Sequence, residues 1–400
     1  MKLLGLITEY NPFHNGHKYH LETAKELIKP DAVVAVMSGH FLQRGEPAIL
    51  DKWTRAKAAV EAGVDLVIEL PTYFSTSSAE GFALGSVALL ERLGATDLVF
   101  GSESGEVDSL KKVARLIQNP TDLYAQTLSE ALNQGLSYPA SRQLAIEAEL
   151  GAAVDFKANN ILGIEYIRAI ERMGSRLIPH AIKRIQNDYQ DIEITGSISS
   201  ATAVRQLLKH RPVDWSLVKT VVPDATYKAI WDGSIYTELD DFHYIWNSIA
   251  LREGAEGLSK YRDVSEGLEH KLMAELSTLG TLQDMARQVK SKRYTLTRIQ
   301  RVIVAILLGI KPLSDEVALS HLDYARVLAF NETGGKVLRQ VKKAEVLFPF
   351  TNLGRDLKKY RRKNPLLELD IRATGMYAHV NHSITIQEDF LRMPFQMARR

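Results

Sequence analysis

Residues 1–20, MKLLGLITEYNPFHNGHKYH, decide how the first part of this chain folds. A short apolar run ends at Thr8, and the dipeptide Asn11 and Pro12 marks a turn. A helical pattern then begins at Gly16. This order predicts a strand that leads through a short turn directly into a helix.

The same alternation of apolar runs and helical patterns continues to about residue 200. Strands are predicted at Leu3–Thr8, Ala32–Met37, Leu66–Leu70, Leu98–Phe100 and Leu177–Ile182. Helices are predicted at Gly16–Leu27, Asp51–Ala62, Ser78–Leu93 and Ser109–Glu147. Such alternation indicates right-handed crossovers and an α/β fold with a doubly wound, Rossmann-like parallel sheet. Ligands of such sheets bind beyond the carboxyl ends of the strands.

The pattern changes after residue 212, where helices dominate. They are predicted at Trp215–Trp231, Tyr244–Glu253, Val264–Leu279, Leu282–Gln288 and Leu296–Leu308, and shorter strands are expected around Tyr377–Thr385. We therefore expect two domains, a nucleotide-binding catalytic domain at 1–212 and a mostly helical domain at 213–400.

The composition narrows the class of protein. Hydrophobic residues make up 45% and charged residues 24% of the 400, which is typical of a globular protein. The chain has no cysteine, which excludes disulfides, thiolate metal sites and a cysteine nucleophile. The start superficially resembles a signal peptide, but Glu9 ends its apolar stretch early, and Val302–Ile310 is too short for a membrane span. We therefore expect a cytoplasmic protein.

The small net charge of +2 conceals an asymmetry along the chain. Residues 281–400 hold 22 Lys and Arg against 11 Asp and Glu, whereas the other 280 residues hold 28 against 37. A basic C-terminal region suggests a polyanionic partner, although a solvated basic surface would have the same composition.

The segment HNGH suits phosphate chemistry. A helix that begins after a parallel strand presents free N–H groups and a positive dipole end. His14 and His17 are three residues apart, so both project to one side and can donate hydrogen bonds to a leaving pyrophosphate. A capped helix with two surface histidines and a metal-binding pair are the alternatives.

HNGH resembles the HxGH signature of nucleotidyltransferases and class I aminoacyl-tRNA synthetases, which cleave ATP between its α- and β-phosphates. That superfamily carries a second phosphate motif late in the domain, and here SISSATAVR occupies residues 197–205. The resemblance implies phosphate contacts from Ser200 and Arg205, with Ser199 as the alternative serine. A simple capped surface helix is the competing interpretation.

Further polar residues follow other predicted strands. The loop MSGHFLQRGEPA at 37–48 is typical of substrate loops, although a solvated loop is the alternative. Gly101 follows the fourth strand, Asn159 and Asn160 precede a helix, and Arg184 follows the fifth strand. Each of these residues alone would usually be an ordinary turn or surface residue. Their clustering at predicted strand ends favours a functional role for all of them.

Over essentially its whole length the chain resembles the bacterial tRNA(Met) cytidine acetate ligase family. The matching motifs are GLITEYNPFHNGHKYH, VMSGHFLQRGEPA, DLVIELP, FGSESG, NNILGIEY, SISSATAVR and KRYTLTRIQR. The resemblance implies ATP contacts from Ile7, Thr8, Glu9, Tyr10, Asn11, Pro12, Phe13, His14, Asn15, Gly16, His17, Lys18, Tyr19, His20, Gly101, Asn159 or Asn160, and Arg184.

Two basic segments are candidate RNA contacts. Basic side chains near an aromatic ring suit a phosphate backbone and a stacked base, and an RNA substrate would explain a basic region apart from the nucleotide site. Solvated surface is again the alternative. The residues concerned are Lys292, Arg293, Tyr294, Arg298, Arg301, Lys358, Lys359, Arg361 and Arg362.

The resemblance implies a ligase reaction in two steps. Acetate attacks the α-phosphate of ATP, with Mg²⁺ as the expected companion ion, and gives acetyl-adenylate and pyrophosphate. The wobble cytidine of elongator tRNA(Met) then takes the acetyl group to form N4-acetylcytidine, and AMP leaves. A small-molecule adenylyltransferase of cofactor biosynthesis and a non-catalytic RNA-binding protein are the rival functions. The acetate pocket and the base for the cytidine amine are not indicated by any motif.

Overall fold

The computed structural model describes residues 1–151, 158–184, 199–232, 236–276 and 280–398. Eight strands of this part of the chain form one sheet. They are β1 (Leu3–Thr8), β2 (Ala32–Ser38), β3 (Leu66–Leu70), β4 (Asp97–Ser102), β5 (Ile178–Lys183), β6 (Tyr324–Phe330), β7 (Phe348–Phe350) and β8 (Phe395–Gln396).

Helices connect and cover these strands, with one 3₁₀ helix at Leu239–Phe242. They are α1 (Asn15–Ile28), α2 (Lys52–Glu61), α3 (Thr72–Ser75), α4 (Ala79–Arg92), α5 (Val107–Gln118), α6 (Asp122–Asn133), α7 (Tyr138–Leu150), α8 (Ala158–Met173), α9 (Ala201–Lys209), α10 (Trp215–Val221), α11 (Asp224–Asp232), α12 (His243–Leu258), α13 (Leu268–Leu276), α14 (Leu282–Val289), α15 (Leu296–Leu308), α16 (Asp315–Ser320), α17 (Glu332–Ala344), α18 (Leu353–Tyr360), α19 (Pro365–Asn381) and α20 (Glu388–Leu391).

The strand order is β5-β4-β1-β2-β3-β6-β7, with β8 paired to β6. Strands β1 to β5 are mutually parallel, which confirms the predicted doubly wound α/β sheet. The chain moves to one side from β1 through β3 and then returns to place β4 on the other side of β1. The carboxyl ends of β1 and β4 therefore flank the crevice in which such sheets bind ligands.

The central strands form because their apolar runs are covered on both faces. All seven residues of β2 are buried, as are all five of β3. Uniform burial is what parallel strands with helices on both faces require, and it explains runs such as AVVAVM. The predicted bounds of the five parallel strands agree with the structure to within two residues.

Two of the predicted long helices are wrong, because proline and glycine residues within them end the helix. The stretch Ser109–Glu147 contains α5, α6 and α7, which are separated at Pro120 and at Gly135, whose φ of +80° is left-handed. The stretch Trp215–Trp231 is likewise divided at Pro223 into α10 and α11.

The strand expected around Tyr377–Thr385 is also wrong. Residues to Asn381 belong to α19, which ends at His382 in a left-handed conformation with φ +56°. The C-terminal half instead contributes β6, which pairs antiparallel with β3 and extends the N-terminal sheet. The division of the chain at residue 212 stays a prediction, and the C-terminal residues contribute three strands to the common sheet.

A small second core positions α9 near the end of β1. It joins two apolar residues just before α2 to apolar residues in or next to α9, α10 and α11. These residues are Ile49, Leu50, Val204, Leu208, Val218, Val221, Val222 and Ile230. In the described part of the chain, no helix is both long enough and apolar enough to cross a membrane.

Candidate active site

The first turn of α1 holds the two histidines of HNGH beyond the carboxyl end of β1. His14 is the N-cap, and its Nδ1 accepts a hydrogen bond from the Gly16 amide at 3.0 Å. The Nδ1 of His17 accepts from the His14 amide at 3.3 Å, and the two ring centroids are 3.8 Å apart. A neutral imidazole that accepts at Nδ1 carries its proton on Nε2. Both rings therefore offer an Nε2–H donor.

The surroundings keep these imidazoles uncharged. Burial, together with the nearby guanidinium groups of Arg184 and Arg205, lowers the pKa of His14 to about 3. Burial also holds the pKa of His17 well below its usual value, helped by His14, His20 and Arg184. His20 has its pKa lowered to about 4 by burial and by Arg184. At physiological pH the site thus combines neutral donors with fixed positive charge, which suits a polyphosphate.

Arg205 brings the second motif to the first. Its Nη1 donates to the Asn11 carbonyl at 2.9 Å, although the two residues are 194 positions apart. Its Nη2 lies 3.3 Å from Oε1 of Glu46. The structure therefore brings the HNGH segment, the 37–48 loop and α9 together around one guanidinium. Contact of Arg205 with ATP phosphates stays a prediction.

The two candidate serines differ in their partners. Ser200 is the N-cap of α9, and its Oγ accepts from the Ala203 amide at 3.1 Å. Ser199 is buried, and its Oγ has no hydrogen-bond partner among the described residues. Either hydroxyl can still donate a hydrogen bond to a phosphate oxygen, so both serines remain candidates. Residues 197 and 198 of the motif lie outside the described residues.

Gly101 and Arg184 lie side by side at the ends of β4 and β5. Gly101 pairs with Ile182 in the sheet, and the Arg184 amide donates to the Ser102 carbonyl at 3.0 Å. A Cβ on Gly101 would lie 3.5 Å from Cγ of Arg184, which is an ordinary contact. The small size of Gly101 is therefore not required by the protein itself, and close approach of a nucleotide stays the predicted reason for it.

The asparagine pair is arranged around one carboxylate. Nδ2 of Asn159 donates to Oε1 of Glu103 at 2.8 Å, and the Asn160 amide donates to Oε2 at 2.9 Å. Oδ1 of Asn160 accepts from the Ser102 hydroxyl at 2.7 Å and from the Glu103 amide at 3.1 Å. Asn160 is buried, whereas Asn159 is partly exposed. This geometry favours Asn159 as the residue that reaches a ligand.

The remaining residues of the 7–20 segment have different surroundings. Tyr10 has a left-handed φ of +49°, and its ring lies 4.7 Å from that of Phe13 and 4.9 Å from that of His17. The Tyr10 and Phe13 rings therefore pack against the HNGH turn. Lys18 is exposed and lies 3.8 Å from Glu22, one turn further along α1.

Arg55 is an organising residue that the sequence motifs did not indicate. Arg55 is 1% exposed and donates to four backbone carbonyls, three at the ends of β1 and β2 and one just before α2. They belong to Glu9 at 2.6 Å, Ser38 at 3.1 Å, Leu50 at 3.0 Å and Gly39. Arg55 looks like an ordinary basic residue of a helix, so only the fold identifies it.

The described residues contain no group of three His, Asp or Glu side chains arranged to hold a metal ion. The HNGH histidines use their Nδ1 atoms within the protein. The donor set at this site therefore does not make a resident magnesium site, and we derive no catalytic step through such an ion.

A family model described as HIGH Nucleotidyl Transferase matches residues 1–390. The chain belongs to the HIGH nucleotidyltransferase family. It is 37% identical to a tRNA(Met) cytidine acetate ligase of Clostridium novyi, over 99% of this chain and 100% of that protein. It is 41% identical to the protein of that name from Acetivibrio thermocellus, over 94% of each chain. The chain therefore also belongs to the tRNA(Met) cytidine acetate ligase family, and it is an ATP-using ligase.

Solved structures agree with this assignment. A crystal structure of Thermotoga maritima TmcAL bound with alpha-thio ATP superimposes with a TM-score of 0.89 at 34% identity, covering all of both chains. The apo form of the same protein gives a TM-score of 0.90 at 35% identity. The similarity spans the sheet, the helical region and the late strands, so this HIGH nucleotidyltransferase chain shares the whole architecture.

The first basic segment lies at the start of α15, and its aromatic residue is buried. Tyr294 is 2% exposed, and its hydroxyl donates to the Glu266 carbonyl at 3.0 Å. The guanidinium of Arg298 lies 5.0 Å from the Tyr294 ring, and so does the ammonium of Lys271. In this conformation the Tyr294 ring packs against Arg298, and contact of Tyr294 with RNA stays a prediction.

The basic residues of this segment vary in exposure. Lys292 and Arg293 are exposed, whereas Arg301 is only partly exposed and burial lowers its pKa to about 10. The backbone of Arg301 contacts the 37–48 loop, because a Cβ on Gly45 would lie 2.2 Å from the Arg301 amide nitrogen. The start of α15 is therefore adjacent to the loop that carries Glu46.

The second basic segment forms an exposed ridge at the end of α18. Lys358, Lys359, Arg361 and Arg362 are exposed, and Arg362 forms an ion pair of 2.7 Å with Asp323. Asp323 directly precedes β6, and β6 runs antiparallel to β3, so this ridge lies at the same end of the sheet as the HNGH turn. RNA contact at both segments stays a prediction.

Proposed function

We propose that this chain is an ATP-dependent tRNA(Met) cytidine acetate ligase. It joins acetate to AMP with release of pyrophosphate, and then transfers the acetyl group to N4 of the wobble cytidine of elongator tRNA(Met). Its full-length similarity to ligases of that name supports the overall reaction. The geometry around HNGH supports the first step.

Adenylation needs charge stabilisation rather than proton transfer. As an acetate oxygen attacks the α-phosphorus, negative charge builds on the departing pyrophosphate. The Nε2–H groups of His14 and His17 donate to it without loss of a proton, because the low pKa values keep both rings neutral. Arg205 and Arg184 supply positive charge, and Ser199 or Ser200 supplies a hydroxyl. Positioning and electrostatics together account for catalysis of this type.

The RNA approaches from the side of the helical region. Exposed basic residues lie at the start of α15 and at the end of α18, and the end of α18 lies at the same end of the sheet as the HNGH turn. Contacts of these residues with phosphates position the RNA without reading its sequence. We place this reaction in the cytoplasm, where tRNA is available.

The observation that carries the proposal is the convergence of two neutral imidazoles and Arg205 in a chain whose relatives are ligases over their full length. The test incubates the protein with ATP, acetate and tRNA(Met), followed by mass spectrometry of the nucleosides. We expect N4-acetylcytidine and AMP, both dependent on acetate and RNA. Nucleotide transfer to a metabolite without RNA would support a small-molecule adenylyltransferase, and RNA binding without AMP formation would support a non-catalytic protein.

A further inference from the structure

We propose that the carboxylate of Glu9 is the general base that takes the proton from the cytidine N4 amine in the second step. This inference rests on the proposed function and adds a catalytic residue to it. A base is needed because the N4 lone pair is delocalised into the pyrimidine ring, so the amine attacks well only as its proton leaves.

The structure fixes Glu9 and leaves one of its carboxylate oxygens available. Glu9 directly follows β1, and its carbonyl accepts from Nη1 of Arg55 at 2.6 Å. Its Oε1 accepts from the Gln43 amide at 2.8 Å. Among the described residues, no donor is bound to Oε2. The side chain is thus held in one orientation by Oε1 while Oε2 can receive a proton.

The environment adjusts this carboxylate toward proton acceptance. Burial raises the pKa of Glu9 above its usual value, and the negative charge of Glu46 raises it further. The Gln43 amide, Arg44 and Arg205 act in the opposite direction. Tyr166 and Arg55 are the other ionisable groups close to it. A carboxylate with a raised pKa accepts a proton more readily.

The other ionisable groups of the site are less suited to this role. His14 and His17 are poor bases, because each uses Nδ1 within the protein and each has a strongly lowered pKa. Glu103 uses both oxygens at the start of α8. Glu46 is ion-paired with Arg205. Glu9 remains, held through Oε1 alone among the described residues and with its pKa raised by burial.

The loop that holds Glu9 also contacts the helix that carries part of the first basic segment. The Gln43 amide that holds it belongs to the same loop as Gly45, and Gly45 lies against the backbone of Gln300 and Arg301. The loop that holds Glu9 therefore packs against the second turn of α15, the helix that follows the exposed basic residues Lys292 and Arg293.

The step balances as follows. N4 of the cytidine forms a bond to the acetyl carbon, and the bond from that carbon to the phosphate oxygen of acetyl-adenylate breaks. AMP leaves with the electron pair of that bond. The proton released from N4 passes to Oε2 of Glu9 and from there to solvent once the products have left.

The test is Glu9→Gln, which keeps a carbonyl oxygen for the Gln43 amide but cannot accept a proton. Adenylation is measured without RNA as acetate-dependent exchange of pyrophosphate into ATP, and transfer is measured as N4-acetylcytidine formed in a single turnover. Because Glu9 belongs to the predicted ATP-contact segment, exchange serves as the internal reference: we expect transfer to fall by about 100-fold or more relative to exchange, and acetyl-adenylate to accumulate. In the wild type the transfer rate rises with pH through the raised Glu9 pKa, and this rise disappears in Glu9→Gln.

The matched control is Glu46→Gln, which removes a neighbouring carboxylate bound to Arg205. We expect any loss in this variant to affect exchange and transfer equally. Equal loss of both activities in Glu9→Gln, or unchanged transfer, overturns the assignment of the base. If the wild-type protein itself forms no N4-acetylcytidine, the proposed function is wrong and this inference with it, so the two failures are distinguishable.

Discussion

At the scale of single residues, the proposed active site keeps two histidines neutral. Backbone amides fix the tautomer of His14 and His17, and burial beside Arg184 and Arg205 prevents their protonation. Imidazolium would bind a phosphate more strongly in the ground state. Neutral Nε2–H donors are instead held in place for the charge that develops during adenylation.

The substitution His17→Ala removes one of these donors. We expect acetate-dependent pyrophosphate exchange to fall by about 100-fold or more, since loss of one preorganised donor to a developing anion costs about that much. Thermal melting should show that the variant is folded. The control is His270→Ala, which changes a histidine whose side chain is 77% exposed on α13. Exchange at the wild-type rate in His17→Ala would contradict the phosphate role of HNGH.

At the scale of elements, the 37–48 loop joins the nucleotide site to the helical region. It supplies the Gln43 amide to Glu9, Glu46 to Arg205 and the close contact of Gly45 with α15. Through these contacts the loop connects α15 to the Glu9 and Arg205 side chains of the candidate active site. The same contacts also explain why a glycine is needed at position 45, where φ is +76° and backbone approaches closely.

Gly45→Ala should therefore disturb both stability and acetyl transfer. The left-handed conformation alone costs about 1 kcal/mol for alanine. The added Cβ would also lie 2.2 Å from the Arg301 amide nitrogen, so the loop must shift. Gly94→Ala is the control, because φ is +83° there and no atom lies within 4 Å. Denaturant unfolding should show a larger loss for Gly45→Ala, and equal losses would show that the contact with α15 is unimportant.

The exposed end of α18 should contribute to RNA affinity rather than to adenylation. We expect the triple change of Lys358, Lys359 and Arg361 to Ala to weaken tRNA binding and to reduce the slope of log affinity against log salt by about 0.7 to 0.9 per lost phosphate contact. Pyrophosphate exchange without RNA should be unchanged. Fluorescence anisotropy at several salt concentrations measures this slope.

The control for the α18 variant is Lys342→Ala with Lys343→Ala, which removes two exposed lysines from the last turn of the neighbouring α17. If both variants weaken binding equally, the effect reflects general charge and not a defined surface.

At the scale of the whole molecule, buried charges join distant parts of the chain. Lys52 on α2 is fully buried and lies 2.7 Å from Glu69 on β3 and 3.0 Å from Asp389 on α20. Thr374 on α19 binds the same ammonium at 3.0 Å. Loss of one member would leave the others as uncompensated buried charges, so this cluster ties the C-terminal segment to the catalytic sheet.

Four histidines with lowered pKa values should make the whole fold sensitive to acid. Burial lowers the pKa of His14, His17, His20 and His40, so below about pH 6.5 the unfolded chain binds protons that the folded chain excludes. The free energy of unfolding should therefore fall as pH falls from 7.5 to 5.5. Asp370, whose pKa burial raises to about 7, opposes this trend, as do Glu9 and Glu69, whose pKa values burial also raises.

The measurement is urea unfolding at each pH, compared with His40→Gln. That variant should lose about 1.4 kcal/mol of the slope per pH unit below pH 6.5, whatever its stability at neutral pH. Stability that stays constant or rises on acidification would contradict the burial of these rings.

Local pattern was sufficient for much of the fold and the nucleotide site. The five parallel strands, the helix start at HNGH and the serine cap before Arg205 were predicted correctly, because each depends on hydrophobic periodicity or on capping within a few residues. The helix breaks at Pro120, Gly135 and Pro223 were also present in the sequence but were missed.

The amino-acid sequence by itself determined the α/β alternation, the motif for phosphate and the basic C-terminal region, since these are properties of neighbouring residues. Tertiary structure alone decided that β6 pairs antiparallel with β3, that Arg55 holds the strand ends, that Tyr294 is buried and that Glu9 keeps one free oxygen. The physical reason is that pairing, burial and pKa depend on contacts between residues tens to hundreds of positions apart, which no local pattern encodes.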